Sequence, residues 1–156
     1  MRGLAGVVAD RAKGLIDTGA ILALLDRDDR WHAPCVEALA TLRLPVATSA
    51  AVLAELFHLV DRHEVAAAWG IVRSGAILVL PIGDSDLPQI EARMARYADR
   101  PMDFADATLV HLAERESLTT VFTIDHDDFE TYRIGGRRRF RIVPPRPSVR
   151  PRGGRA

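Results

Sequence analysis

Five short apolar stretches, ending at Ile16, Ala47, Pro81, Ile124 and Val143, alternate with segments whose apolar residues recur at spacings of three and four. Short β-like runs separated by helical periodicity leave few ways to fold, because consecutive parallel strands need a crossover long enough to hold a helix. The alternation predicts a three-layer α/β/α sandwich on a five-stranded, mainly parallel sheet with right-handed crossovers. Strands are expected at Leu15–Ile16, Leu44–Ala47, Ala76–Pro81, Thr120–Ile124 and Phe140–Val143. Helices are expected from Asp17 to Leu25, over 32–42, after a Thr48 or Ser49 cap, from Glu64 to Ser74, from Asp84 or Ser85 to about Tyr97, and from Asp103 through Ala113.

With 156 residues, 48% of them hydrophobic, the chain has enough material for one domain with a substantial core and too little for two. Its longest apolar runs fall short of the roughly 20 residues that cross a bilayer, so no membrane segment is expected. The N-terminus lacks an apolar h-region followed by a small-residue cleavage site, which makes the cytoplasm the default location. Cys35 is the single cysteine; it excludes an internal disulfide and a multi-cysteine zinc site, and its apolar neighbours predict a buried small hydrophobe. The formal net charge of zero conceals an asymmetry, since nine of the 21 basic residues and none of the 21 acidic ones fall in 132–156. Arg137, Arg138, Arg139 and Arg141 beside the last strand are candidates to hold phosphates of a nucleic acid. Beyond them, prolines among arginines and glycines predict a flexible tail over 145–156.

Four acids stand out by position. Asp17 and Asp125 are the first charged residues after strands, Glu55 interrupts an apolar helical neighbourhood, and Asp106 lies in the first turn of its helix. In open parallel sheets ligands sit beyond the carboxyl ends of the strands, so helices starting at that edge would let all four carboxylates meet. Gathered carboxylates resist ionisation unless a cation neutralises them, which points to a hard divalent ion and phosphodiester hydrolysis. Each acid also has a plainer explanation. Asp17 and Asp103 suit helix N-caps, worth ~1 kcal/mol each, and Asp106 suits the positive end of a helix. Glu55 fits such a reading less well, because burying an unpartnered carboxylate is costly.

Other motifs exclude more than they assign. The acid-rich run from Asp125 to Asp128 has neither the glycine nor the terminal glutamate of an EF-hand calcium loop. The histidines at 32, 58, 63, 111 and 126 form no HExxH pair and read as surface or helix-face residues. No P-loop, GxGxxG or GxSxG is present.

The ordered set Leu15-Ile16-Asp17-Thr18, Ala54-Glu55-Leu56, Ala105-Asp106-Ala107 and Thr123-Ile124-Asp125 with Asp128-Phe129 resembles PIN-domain ribonucleases, in particular VapC-type toxins of bacterial toxin–antitoxin pairs. The resemblance covers about residues 14–144, including the run from Gly135 to Pro144, and leaves 1–13 as an extension without an assigned role. It implies that Asp17 and Asp106 are direct ligands of Mg²⁺ or Mn²⁺, with Glu55 and Asp125 completing the site directly or through water. Thr18, Asp103 and Asp128 become supporting residues. It further implies in-line attack of water on phosphorus, with Asp125 or Glu55 orienting that water, and 5′-phosphate and 3′-hydroxyl products.

The implied partners are RNA, a VapB-like antitoxin and a second copy of the chain, with the apolar helices over 50–74 as the candidate interface or antitoxin groove. Three other readings compete. A haloacid-dehalogenase phosphatase needs a second Asp where this chain has Gly19. A non-catalytic PIN-like binding module would be expected to have lost some of the acids. A PIN nuclease of RNA processing would act outside any toxin pair.

Overall fold

A computed structural model describes residues 11–148. Five parallel strands, β1 (Leu15–Ile16), β2 (Val46–Thr48), β3 (Ile77–Val79), β4 (Thr120–Phe122) and β5 (Arg141–Val143), form one sheet in the order β3-β2-β1-β4-β5. Seven α-helices accompany it among the described residues: α1 (Thr18–Leu25), α2 (His32–Thr41), α3 (Ala50–Leu59), α4 (Val65–Val72), α5 (Leu87–Arg96), α6 (Phe104–Arg115) and α7 (His126–Thr131). The expected α/β architecture is present, with every strand pair parallel.

Strand alternation divides the core into two layers, because successive side chains point to opposite faces of a sheet. Leu15, Ala47 and Val121 join the cluster that contains Leu109, Leu112, Phe129 and Tyr132. Their neighbours Ile16, Val46 and Phe122 join Ile21, Cys35, Leu56 and Ala68 on the other side. Cys35 is fully buried, as its surroundings predict. Helix α6 is buried from Ala105 through Ala113, so a helix with an acid in its first turn runs through the interior instead of lying on the surface.

Some boundaries differ from expectation, and each has a local cause. The segment over 64–74 begins with a 3₁₀ turn at Arg62–Glu64, and that over 84–97 with one at Asp84–Asp86, where the Asp86 carboxylate accepts the Gly83 N–H. Strand β4 ends at Phe122, after which Thr123 turns inward, and the acid-rich run that follows folds as helix α7, with Asp125 as its cap. A six-residue helix gives too little periodicity to read from sequence. Of the five histidines, His111 and His126 are buried. His111 Nε2 meets Asp86 Oδ1 at 2.8 Å and His126 Nε2 meets the Pro144 carbonyl at 2.8 Å, so these two lock elements together and are not surface residues.

The proposed extension and tail lie partly outside the described residues. Within them, Ala12 is buried in the core and the Lys13 N–H donates to the Pro45 carbonyl at 2.8 Å. Arg146 pairs with Asp127 and Glu130 of α7.

Candidate active site

The strand order reverses beside β1. From there the chain builds outward through β2 and β3, then returns to add β4 and β5 on the other side. Such a switch point opens a crevice at the carboxyl ends of the two central strands. Asp17 leaves β1 there, its N–H donating to the Phe122 carbonyl of β4 at 2.9 Å. The carboxylate is buried and has two hydrogen-bond donors: Oδ1 accepts the Thr18 N–H at 2.8 Å and Oδ2 accepts the Thr123 hydroxyl at 3.1 Å. Asp17 is thus the N-cap of α1, as its plainer reading requires, and it also faces the crevice. Gly19 follows because a Cβ there would come within 2.9 Å of Ile124 Cγ1, which leaves no room for a second Asp of the phosphatase kind.

Side-chain hydroxyls draw the helix starts toward this edge. Ser49 caps α3 by accepting the Val52 N–H, and its Oγ lies 2.7 Å from Thr108 Oγ1 of α6. The Thr18 hydroxyl reaches the Val52 carbonyl at 3.3 Å, tying α1 to α3. Asp103 caps α6 by accepting the Asp106 N–H at 2.7 Å. These contacts carry Glu55, in the second turn of α3, and Asp106, in the first turn of α6, to the neighbourhood of Asp17. Asp106 is also buried, and its Oδ2 accepts the Tyr132 hydroxyl at 2.9 Å. That tyrosine is fully enclosed, edge-on to Phe129 and Tyr97 at centroid distances of 5.4 and 5.2 Å.

Electrostatics show how closely the acids are coupled. Burial raises the Asp17 carboxyl to about 7 against its two hydrogen bonds, and Glu55 and Asp103 add to the rise. Burial raises Asp106 to about 8, with Asp17 and Asp103 as the largest charges acting on it. Glu55 is also raised, by burial and then by Asp103, while the Thr18 hydroxyl opposes the shift. The largest charges acting on these three carboxyls are therefore other acids. Tyr132 is driven upward by burial and by Asp106, so it stays a donor.

Asp125 and Asp128 stand at the rim. The Asp125 N–H donates to Thr123 Oγ1 at 3.0 Å, so one hydroxyl serves both Asp17 and the backbone of Asp125. Burial and the adjacent Asp128 raise Asp125, and Asp128 itself pairs with Arg100 at 3.0 Å. Arg137, Arg138 and Arg139 are exposed around the turn closed by the Ile134–Arg138 bridge, apart from the four acids in sequence and in element. Thr123 and Tyr132 were not among the residues expected from sequence. Thr123 enters only as part of the Thr123-Ile124-Asp125 motif, without a role, and a tyrosine after a short helix carries no signal until the fold brings it to a carboxylate.

An oxygen-only donor set of uncompensated acids fits a hard divalent cation such as Mg²⁺. Among the described residues, the acid and histidine group whose ligand atoms all lie within 4.8 Å of one another is Asp61, His63 and Glu64, on a surface 3₁₀ turn. Nothing beyond proximity marks that trio. The carboxylates of the crevice are more widely spread, an arrangement that suits an ion held by one or two carboxylates and several waters, as Mg²⁺ prefers.

Residues 14–135 match the family model described as PIN domain. The chain is 32% identical over 134 residues to ribonuclease VapC26 of Mycobacterium tuberculosis, a match covering 83% of this chain and 99% of the relative. Its fold also matches the crystal structure of Mycobacterium tuberculosis VapC20, described as a sarcin-ricin loop cleaving toxin. The TM-score is 0.66 at 24% identity, and the match covers 72% of this chain and 90% of that one. The switch-point acids, the all-parallel sheet and these likenesses agree: the chain belongs to the PIN-domain family, in its VapC ribonuclease branch.

Proposed function

We propose that the chain is a metal-dependent endoribonuclease and the toxin of a VapBC-type pair, acting on RNA in the cytoplasm. The observation that carries this reading is the pair of buried carboxyls at the switch point, Asp17 and Asp106, raised by burial to about 7 and about 8 against their hydrogen bonds, with other acids as the largest charges acting on them. Burying such groups destabilises the protein unless a function needs them. In this reading Asp17 and Asp106 hold Mg²⁺ or Mn²⁺, and Glu55 and Asp125 complete the site directly or through water. When bound, the ion supplies charge neutralisation for the scissile phosphate and acidifies water.

The protein's own groups do the remaining work. Thr18 and Thr123 fix the Asp17 carboxylate through the two hydrogen bonds it accepts. Tyr132 fixes Asp106, and Asp103 fixes the helix start that bears it. Asp125, more exposed than Asp17 and Asp106, is placed to orient the attacking water and accept its proton. Hydrolysis then leaves 5′-phosphate and 3′-hydroxyl ends, without a 2′-hydroxyl nucleophile.

Two apolar surfaces support protein partners. A groove of about 470 Å³ runs between α2 and α4, lined by Leu24, Val36, Leu39, Ala67 and Ile71, and it suits the apolar face of an antitoxin helix. Val79, Leu87 and Phe104 are exposed around a second hollow, which suits a second copy of the chain. The deciding experiment is cleavage of a panel of end-labelled structured RNAs with Mg²⁺, Mn²⁺ or EDTA. Metal-dependent cutting to 5′-phosphates that vanishes in Asp17→Asn/Asp106→Asn supports the reading, and cutting that survives EDTA or the double substitution refutes it.

A further inference from the structure

On the far side of the Tyr97–Tyr132 aromatic contact lies a cleft of about 240 Å³, lined by Arg93 and Arg96 of α5, Glu114 of α6, Tyr97, Arg133 and the Gly135–Gly136 turn. Three guanidiniums from two separate segments face one carboxylate, which leaves about two positive charges uncompensated within the cleft. The carboxylate of Glu114 is taken by Arg93. Arg133 Nη1 is held by the carbonyls of Glu130, Thr131 and Tyr132, all neutral acceptors. Arg96 reaches across the turn, where a Cβ at Gly136 would sit 2.5 Å from its Nη1, so this glycine leaves the space the guanidinium fills.

A second observation points to a missing acceptor. Arg93 Nε is buried and has no hydrogen-bond partner, although buried donors are almost always paired. Burial and then the neighbouring Arg96 charge lower the Arg93 pKa, so these two cations repel each other across the cleft.

We propose that this cleft is a phosphate-binding subsite that holds the RNA backbone at a nucleotide away from the scissile bond. Arg137–Arg139 follow Gly136 in the adjoining turn without lining the cleft, and the subsite rests on the nuclease reading for the source of the phosphate. Tyr97 lines the cleft and packs on Tyr132, whose hydroxyl binds Asp106, so the two sites lie on either side of one aromatic pair. The acidic crevice repels a polyanion when no metal is bound, and a basic cleft beside it offsets that repulsion and sets the register of the strand.

The test uses the whole chain in EDTA, so that RNA is bound without being cut. Nitrogen-15 spectra follow the Nε–H signal of Arg93, assigned by its loss in Arg93→Lys, while inorganic phosphate or a short single-stranded RNA is added. Fluorescence anisotropy measures RNA affinity for the wild type and for Arg96→Gln, an exposed position that leaves the core intact. We expect RNA to shift the Arg93 signal, Arg96→Gln to weaken binding about five-fold, and the salt dependence to lose about 0.7 in slope.

Unchanged RNA affinity in Arg96→Gln with a still Arg93 signal overturns the subsite, even if the wild type cuts RNA with Mn²⁺, in which case the nuclease reading stands. A response to inorganic phosphate but not to RNA overturns the backbone assignment. A wild type that neither binds nor cuts RNA overturns both readings.

Discussion

The acids of this protein meet two opposite fates. On the surface of α7, Arg146 pulls Asp127 and Glu130 down, and Arg100 pairs with Asp128. Asp86 is partly buried, which opposes ionisation, yet the Gly83 N–H, His111 and Arg115 together bring it to about 2. In the crevice, Asp17 and Asp106 rise to about 7 and about 8 because burial, reinforced by neighbouring acids, outweighs the hydrogen bonds from Thr18, Thr123 and Tyr132. The chain has as many basic as acidic residues, so the difference is one of placement and not of supply. For Asp86, Asp127, Asp128 and Glu130, the charge is answered from within the chain. At the switch point the nearest charges are other acids, which on the proposed reading leaves the carboxylates for a metal ion from outside.

The comparison breaks most directly by removing the unsatisfied charges. Asp17→Asn with Asp106→Asn is expected to reduce RNA cleavage by ~10³-fold or more, while the far-ultraviolet circular dichroism stays that of the wild type. Retained cleavage would mean that the crevice is not the reacting site.

Next in size is the pH dependence of the metal-free protein. A carboxyl raised in the folded state holds its proton there while the unfolded chain, with a value near 4, has already lost it. Its stabilising contribution is therefore present below about pH 4 and lost as pH rises toward 7 to 8. In EDTA the melting temperature should fall between pH 6 and pH 8, reflecting a loss of about 4 kcal/mol. Mg²⁺ should restore more at pH 8 than at pH 6, because it binds the ionised form and displaces the proton. A melting temperature that climbs over the same interval would contradict the raised values.

Substituting an internally satisfied acid should do the reverse. Asp86→Ala removes the partner of buried His111 and is expected to cost about 2 kcal/mol in urea denaturation while leaving cleavage unchanged. Tyr132→Phe sharpens the contrast more gently. It removes the hydrogen bond that lowers Asp106, so about 1 kcal/mol, or roughly five-fold more Mg²⁺ for half-maximal cleavage, is expected at neutral pH. Smallest is Arg146→Ala. Its ion pairs are exposed and screened, and no measurable change in melting temperature at physiological salt is expected.

The sequence by itself determined the layered α/β class, because short continuous apolar runs alternate along it with period-three-to-four patterns, and each pattern is a property of neighbouring residues. It also showed the positions of Asp17, Glu55, Asp106 and Asp125, since an acid that interrupts an apolar run is visible locally. Caps at Asp17, Ser49 and Asp103 were legible for the same reason.

Tertiary structure alone decided the rest. Helix α7 is too short to announce itself by periodicity and is set by the Asp125 cap and by burial of Phe129. Thr123 joins Asp17 across 106 residues, and Tyr132 reaches Asp106 across 26. The cleft of Arg93, Arg96 and Arg133 forms only where α5 meets the Gly135–Gly136 turn. Whether a charge is answered depends on which elements the fold sets beside it, and the local sequence around an acid does not contain that information.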